Sequence, residues 1–137
     1  MMRLESTICF KLMVLLDAIH DYSKRRLQEI GITYGNYVTM LLIHENPGIT
    51  QAGLADLNRK DRNVTGQTID KLEKKQYVKR VREEQDRRAY TLYLTDDGEK
   101  VIRDYWDTVL SGEGEVLQKL SAEEQASFRT LVDKLLG

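Results

Sequence analysis

The feature that most constrains the fold is a pair of short amphipathic segments, residues 51–57 and 62–76, joined by a few polar residues. Leu54 and Leu57 predict one buried face for the first segment, and Thr50 is a good candidate for its N-cap. The second segment has the helical spacing i, i+3, i+4 and i+7 at Thr65, Thr68, Ile69 and Leu72. Two short helices joined by a tight polar turn indicate a helix-turn-helix.

A β-hairpin is predicted directly after these helices. The runs YVKRV (77–81) and AYTLYL (89–94) are rich in β-forming residues and flank the charged loop 82–86. A recognition helix fits the major groove of DNA, and a hairpin beside it lies near the minor groove, whose negative potential attracts arginine. The adjacent Arg87 and Arg88 stand at the tip of this hairpin. The order therefore predicts a mainly helical winged helix-turn-helix.

Long helices are predicted at both ends of the chain. Residues 4–22 carry apolar side chains around most of the circumference, and a second helical stretch ends at Gly31. Thr95 is expected to cap a helix that the glycines of SGEGE (111–115) interrupt. A capping box of Ser121 and Glu124 predicts a last helix, with a buried face at Phe128, Leu131, Val132 and Leu135. In a chain this short, a partner subunit is the expected cover for such faces, which predicts a homodimer.

Length and composition limit the classes of protein to which this chain can belong. The 137 residues suit one domain, and a single cysteine, Cys9, excludes an internal disulfide and fits a reducing compartment. The apolar run 8–16 is too short to span a bilayer and is interrupted by Lys11. We therefore expect a cytoplasmic protein with no membrane partner.

Charge is distributed unevenly along the chain. The net charge is −1, but residues 59–88 hold eleven Lys or Arg against six Asp or Glu, which makes +5 there and leaves −6 for the rest. A basic middle in an acidic protein favours nucleic acid as partner, although a solvated surface gives the same count.

The segment DRRAYTLYLTDDG, residues 86–98, resembles the wing of the multiple-antibiotic-resistance regulator (MarR) family of bacterial transcription factors. It has the family's Asp-x-Arg, apolar strand and Leu-Thr-x-x-Gly. The segment IDKLEKKQYVKR, residues 69–80, is similar to the end of the family's recognition helix, except that Gln76 stands where the family usually has Gly. We expect that position to lack the usual left-handed helix cap.

The resemblance implies an architecture and partners. A single winged-helix domain, 1–137, would have dimerisation helices at 1–30 and 99–137 around a DNA-binding core at 32–98. The homodimer would bind a pseudo-palindromic operator in double-stranded DNA, with repression relieved by a signal.

The resemblance also implies residue roles in DNA binding. Arg88 would enter the minor groove with Asp86 orienting it, and Arg82 and Arg87 would contact phosphate. Asn63 and Gln67 have amides that pair with adenine. The remaining expected contacts, to phosphate or on the outer face of the recognition helix, are Thr50, Gln51, Arg62 and Lys71.

Cys9 offers one signal that would relieve repression. Cys9-Phe10 and the run Ile32-Thr33-Tyr34 resemble the organic-hydroperoxide-sensing branch of the family, in which peroxide oxidises the cysteine and partner-subunit tyrosines hydrogen-bond it. Tyr34 matches one of those tyrosines, and Tyr22 lies one position from the other. The alternatives are a Cys9 that only packs, and a small phenolic or aromatic effector, for which Tyr34, Tyr37, His20 and Met40 are candidate lining residues or simply core.

The sequence carries no Gly-rich phosphate loop, nucleophile motif or metal cluster, so we expect no enzyme, no catalytic residue and no cofactor. His20, His44 and Cys9 make a poor metal set. An alternative from another class is a winged helix used only for protein contacts, against which the basic middle argues.

Overall fold

The computed structural model describes residues 2–85 and 89–137, and within them the chain forms six α-helices and three short strands. The elements in chain order are α1 (Ile8–Glu29), α2 (Tyr34–Glu45), β1 (Ile49–Thr50), α3 (Gln51–Asn58), α4 (Arg62–Lys74), β2 (Val78–Arg82), β3 (Tyr90–Leu94), α5 (Asp96–Leu117) and α6 (Ala122–Leu136). The expected fold class, a mainly helical winged helix-turn-helix, is confirmed.

The chain divides into two compact units. The central unit is Leu27–Trp106, and the terminal unit combines Met1–Arg26 with Asp107–Gly137. Each unit is described below by itself.

The core of the central unit is formed by one face from each of its helices and by the sheet. Its side chains with zero exposure are Leu27, Tyr37, Met40, Ile43, Leu54, Ile69, Leu72 and Leu92. Leu57, which we expected to be buried, is 50% exposed. The buried face of α3 is centred between Leu54 and Ala55, and Leu57 lies beyond its edge at 100° per residue.

The sheet has three antiparallel strands in the order β1-β3-β2, so the expected two-stranded hairpin was incomplete. The register places Ile49 opposite Leu92 on one edge and Arg80 opposite Leu92 on the other. Strand β1 has two residues, too few to give the alternating pattern by which a strand is predicted.

Three helices end in the same left-handed cap. After α1, α3 and α4 the residues Gly31, Arg59 and Gln76 have φ of 72°, 55° and 64°. After α4, the N–H of Tyr77 donates to the Leu72 carbonyl at 3.0 Å, and that of Gln76 to the Glu73 carbonyl at 2.9 Å. Our expectation that Gln76 lacks this cap was wrong, because these two bonds hold it there despite its side chain.

Two predicted helix breaks are absent from the described residues. Helix α1 runs on past residue 22 to Glu29, and α5 runs through SGEGE to Leu117. A Cβ at Gly112 would overlap the Ile19 carbonyl oxygen of α1. This glycine therefore allows the backbones of α1 and α5 to approach each other closely.

The Leu-Thr-x-x-Gly motif joins the start of α5 to the end of α4. The Thr95 hydroxyl accepts a hydrogen bond from the N–H of Gly98 at 3.0 Å, which confirms the predicted cap, and donates one to the Gln76 carbonyl at 2.5 Å. A Cβ on Gly98 would collide with the Tyr77 carbonyl. The motif therefore fixes the helix that follows the wing.

The terminal unit leaves apolar side chains uncovered. The capping box at Ser121 and Glu124 is confirmed, but α6 buries no residue in this chain. Leu131 and Leu135, which we expected to be buried, are 58% and 84% exposed. On α1 the i, i+4, i+8 stripe of Ile8, Leu12 and Leu16 is at least half exposed. A helix face of this composition needs further cover.

Candidate nucleic-acid interface

The helix-turn-helix of α3 and α4 is fixed by two side-chain caps. The Thr50 hydroxyl accepts from the N–H of Gly53 at 3.0 Å, and the Asp61 carboxylate accepts from the N–H of Val64 at 2.7 Å. The left-handed Arg59 makes the turn between the two helices. Each cap satisfies one of the N–H groups that a helix start leaves open. The first turn of α4 therefore begins at a defined place on the surface.

The outer face of α4 matches the sequence expectation. Thr65, Ile69 and Leu72 are buried, whereas Asn63 and Gln67 are exposed. The Cα atoms of Asn63 and Gln67 lie one turn apart, about 6 Å along the helix axis, which is close to two base-pair steps of B-DNA. Arg62 is also exposed, beside Asn63 at the start of the helix. This face presents two amides and a guanidinium.

A basic depression of about 520 Å³ opens on the same helix, lined by Gln67, Asp70, Lys71, Lys74 and Lys75. The Lys71 ammonium donates to the side-chain oxygen of Asn36 on α2 at 2.9 Å. One of its three hydrogens is thus used inside the protein, and two remain for a phosphate. Lys74 and Lys75 were not among the site residues that the sequence suggested.

A cluster that we call the polar seam joins α3, α4 and β2. The Arg80 guanidinium lies 2.7 Å from the Asp70 carboxylate and 3.2 Å from that of Glu73, and it donates to the Gln51 Oε1 at 3.3 Å. The Arg80 side chain is only 19% exposed. Gln51, expected to contact phosphate, therefore also accepts a hydrogen bond from Arg80 inside the protein.

Sequence analysis did not single out Arg80. The signal was present, because Arg80 shares the inward face of β2 with Val78, and Asp70 and Glu73 share one face of the preceding helix at i, i+3. An arginine withdrawn this far from solvent requires such acceptors.

Arg82 lies at the far end of β2 from this seam, opposite Tyr90 of β3. Its guanidinium donates to the Tyr90 hydroxyl at 2.6 Å and lies 5.2 Å from the ring centroid. The expected wing-tip contacts Asp86, Arg87 and Arg88 lie outside the described residues.

The expected sensing residues are divided between the two units. Cys9 and Tyr22 are exposed on the terminal-unit part of α1, and Tyr34 is half-buried at the start of α2 in the central unit. Tyr22 lies thirteen positions after Cys9, about 20 Å along one helix, so the two side chains do not meet within a single chain. The pKa of Tyr22 is raised, most of all by the negative charge of the Glu115 carboxylate. Desolvation and a hydrogen bond to the same carboxylate raise it further.

Two of the suggested effector-lining residues are core residues in this structure. Met40 and Tyr37 are fully buried, and the Tyr37 hydroxyl donates to the Ile102 carbonyl at 2.8 Å. Burial, with a smaller effect of Tyr34, raises the pKa of Tyr37 to about 12.

Residues 2–85 and 89–137 hold neither a metal-binding cluster nor a membrane-spanning helix. They contain no group of three His, Cys, Asp or Glu side chains that could hold a metal ion. None of the helices described there is long and apolar enough to cross a bilayer.

Comparison with known proteins places the chain in a family. A profile of the MarR family matches residues 32–90. The transcriptional regulator HosA of Escherichia coli is 31% identical over 106 residues, which cover 77% of this chain and 78% of HosA. The chain belongs to the MarR family. The organic hydroperoxide resistance transcriptional regulator of Bacillus subtilis is 28% identical over 139 residues, covering 98% of this chain and 90% of that protein.

A solved structure supports the fold of this MarR family chain. The MarR protein from Peptoclostridium difficile DA00132 has a TM-score of 0.88 and 24% identity, covering 98% of this chain and 88% of its own. The chain is thus a MarR family transcriptional regulator with a winged helix-turn-helix, and its function is DNA-binding regulation.

Proposed function

We propose that this MarR family regulator is a homodimeric repressor that binds a pseudo-palindromic operator and releases it when a small ligand or an oxidant acts on the protein. The observation that carries the proposal is the outer face of α4, where Asn63 and Gln67 are exposed one turn apart above a buried apolar face. Amides placed this way suit bidentate pairing with adenine in the major groove.

The other contacts follow from their positions. Arg62, Lys71 and Arg82 supply positive charge around α4 and on β2, and Thr50 and Gln51 stand at the start of α3, where N–H groups favour phosphate. In the wing tip, Arg88 enters the minor groove, Asp86 orients it and Arg87 contacts phosphate.

The terminal unit supports the homodimer. Its exposed apolar stripes on α1 and α6 flank a groove of about 280 Å³, lined by Leu15, Ile19, Glu113, Val116, Leu117, Phe128, Arg129, Val132 and Asp133. A second copy of the same unit offers the matching apolar surface, as a two-fold interface requires. We assign dimerisation to residues 1–30 and 99–137 and DNA binding to 32–98, within one domain.

The test is fluorescence anisotropy of the protein on labelled duplexes from its own upstream DNA, with a shuffled duplex of equal length as control. We expect tight binding to one upstream duplex that falls steeply with salt, since several phosphates are contacted. Equal binding to upstream and shuffled duplexes would show that the upstream DNA holds no specific operator for this protein. Failure to bind any duplex would favour the alternative, a winged helix that contacts only proteins.

Oxidation of Cys9 is the second candidate for the releasing signal. Cys9 is exposed near the start of α1, and the Bacillus subtilis relative named for organic hydroperoxide resistance matches nearly the whole chain. In the reaction, the Cys9 thiolate attacks one peroxide oxygen. The O–O bond breaks as an S–O bond forms, the sulfur is oxidised to sulfenic acid, and the alcohol leaves after taking up a proton.

A matched pair of proteins tests this candidate. Stoichiometric organic hydroperoxide should release the wild-type protein from its duplex, and reductant should restore binding, whereas Cys9→Ser should stay bound. Release of the serine variant by peroxide would exclude Cys9 as the residue that senses peroxide. Retention of both proteins would leave a small phenolic or aromatic ligand as the effector class to screen.

A further inference from the structure

The polar seam rests on one stripe of α4. Gly66, Asp70 and Glu73 follow one another at i, i+4 and i+7, so they share a face of the helix. Arg80 of β2 covers the carboxylate end of this stripe. At the other end, a Cβ on Gly66 would lie 3.0 Å from Nε2 of Gln51. Two elements, α3 and β2, therefore meet on the same stripe.

The chemistry of the seam fixes the orientation of the Gln51 amide. Arginine has only donors, so the amide must turn its oxygen toward Arg80, as the 3.3 Å contact to Oε1 shows. The Gln51 NH₂ group then lies beside Gly66 of α4, and both residues are half-buried. A side chain at position 66 would press against this nitrogen, and the amide would have to shift. The amide group is thus presented as a donor.

We propose that Arg80 is a positioning residue for DNA recognition, which, together with the small Gly66, aims the Gln51 NH₂ group at a backbone phosphate of the operator. The inference deepens the proposed function and rests on it. Arg80 does not touch DNA in this account. It neutralises Asp70 and Glu73, which would otherwise repel phosphate, and it holds Gln51 through a fork that lysine lacks.

The fork and the charge can be separated experimentally. Arg80→Lys keeps the positive charge but has a single ammonium in place of the planar guanidinium. Arg103→Lys, on the exposed surface of α5, is the matched control. Kd is measured for the tightest upstream duplex and for the shuffled duplex, each over a salt series, and thermal unfolding is recorded for every protein.

We expect Arg80→Lys to lose about tenfold in affinity for the upstream duplex, the loss typical of one misplaced contact in a specific complex. Binding to the shuffled duplex should fall by a similar factor, because a phosphate contact carries no sequence information, and the salt dependence should match wild type, because charge is conserved. Unchanged affinity for the upstream duplex would overturn the inference.

Gly66→Ala tests the same geometry without touching the ion pairs. Alanine favours the helix, so the melting temperature should hold or rise, but its methyl group would push the Gln51 amide out of its present position by a small shift. We expect affinity for the upstream duplex to fall about fivefold, a smaller loss than that of Arg80→Lys because the amide keeps its acceptor contact. Wild-type affinity in Gly66→Ala would overturn the inference. If the wild-type protein prefers no duplex, the proposed function fails instead, and the inference fails with it.

Discussion

The two compact units differ in how far one chain completes them. In the central unit, α2, α3, α4 and the sheet bury their apolar side chains against one another, down to zero exposure for Tyr37, Leu54 and Ile69. In the terminal unit, Leu117 is the one buried apolar residue among the described residues, and most of the large exposed apolar side chains belong to this unit.

The difference shows that the units obtain their stability in different ways. Burial of apolar surface is the main favourable term in folding, and the central unit obtains it within one chain. The terminal unit presents its apolar surface outward, in patches of the kind that mark interfaces. We infer that one unit is made for contact with DNA and the other for contact with a second copy.

The largest expected effect comes from placing a charge on the exposed apolar surface of the terminal unit. Leu12→Glu places a charge in the exposed stripe of α1, where a dimer would have to bury it. We expect dimer association to weaken by roughly a hundredfold or more, and operator affinity with it, because two half-sites are no longer held together. Sedimentation equilibrium gives the association constant. The control is Gln118→Glu, at an exposed polar position, and a dimeric Leu12→Glu would refute the assignment of this stripe.

The next largest effect concerns DNA binding by the central unit. Arg88→Ala should reduce operator affinity by roughly thirtyfold and leave the dimer intact, because the arginine is proposed to lie in the minor groove and not at the interface. Anisotropy and sedimentation on the same sample measure both quantities. Arg103→Ala controls for loss of one positive charge. An unaltered Kd in Arg88→Ala would argue against the wing assignment.

Alkaline pH should weaken the closed core of the central unit. The pKa of Tyr37 is raised from 10.0 to about 12, so folding favours its neutral form. The resulting stability is fully present below pH 10 and is lost as pH rises toward 12. Between pH 8 and pH 11 the stability gap between wild type and Tyr37→Phe should narrow by about 1.4 kcal/mol. Urea unfolding at both pH values measures it, and a constant gap would contradict this environment for Tyr37.

The smallest effect sharpens the account of the helix ends. Gln76→Gly should stabilise the protein by about 1 kcal/mol, because a side chain in the left-handed region at φ 64° is strained and glycine is not. Arg103→Gly, in a regular helix, should destabilise by about the same amount. Urea unfolding of both variants gives the comparison, and a loss of stability in Gln76→Gly would mean that other contacts of the glutamine outweigh the strain.

The sequence predicted best where the signal was local and periodic. The buried face of α4, its outward amides and the caps at Thr50, Thr95 and Ser121 follow from spacing and from single side chains. The wing motif was specific enough to indicate the family, and its Thr95 and Gly98 at the start of α5 contact residues 76 and 77, which follow α4.

The failures share a physical cause, which is contact between residues distant in sequence. The glycines of SGEGE do not break α5, because Gly112 serves its contact with α1. The apolar face of α6 is exposed in this chain, because apolar spacing within one segment does not specify which surface covers it. The polar seam joins residues 51, 70, 73 and 80, and no local pattern ties them together.

The most direct test of the account is the stoichiometry of the DNA complex, measured by sedimentation equilibrium with a dye-labelled upstream duplex. We predict that the free protein has the mass of two chains and that two chains bind each duplex together, with affinity falling steeply as salt rises. A complex containing one chain per duplex, or a monomeric protein that binds tightly, would contradict the central claim that the terminal unit is completed by a second copy.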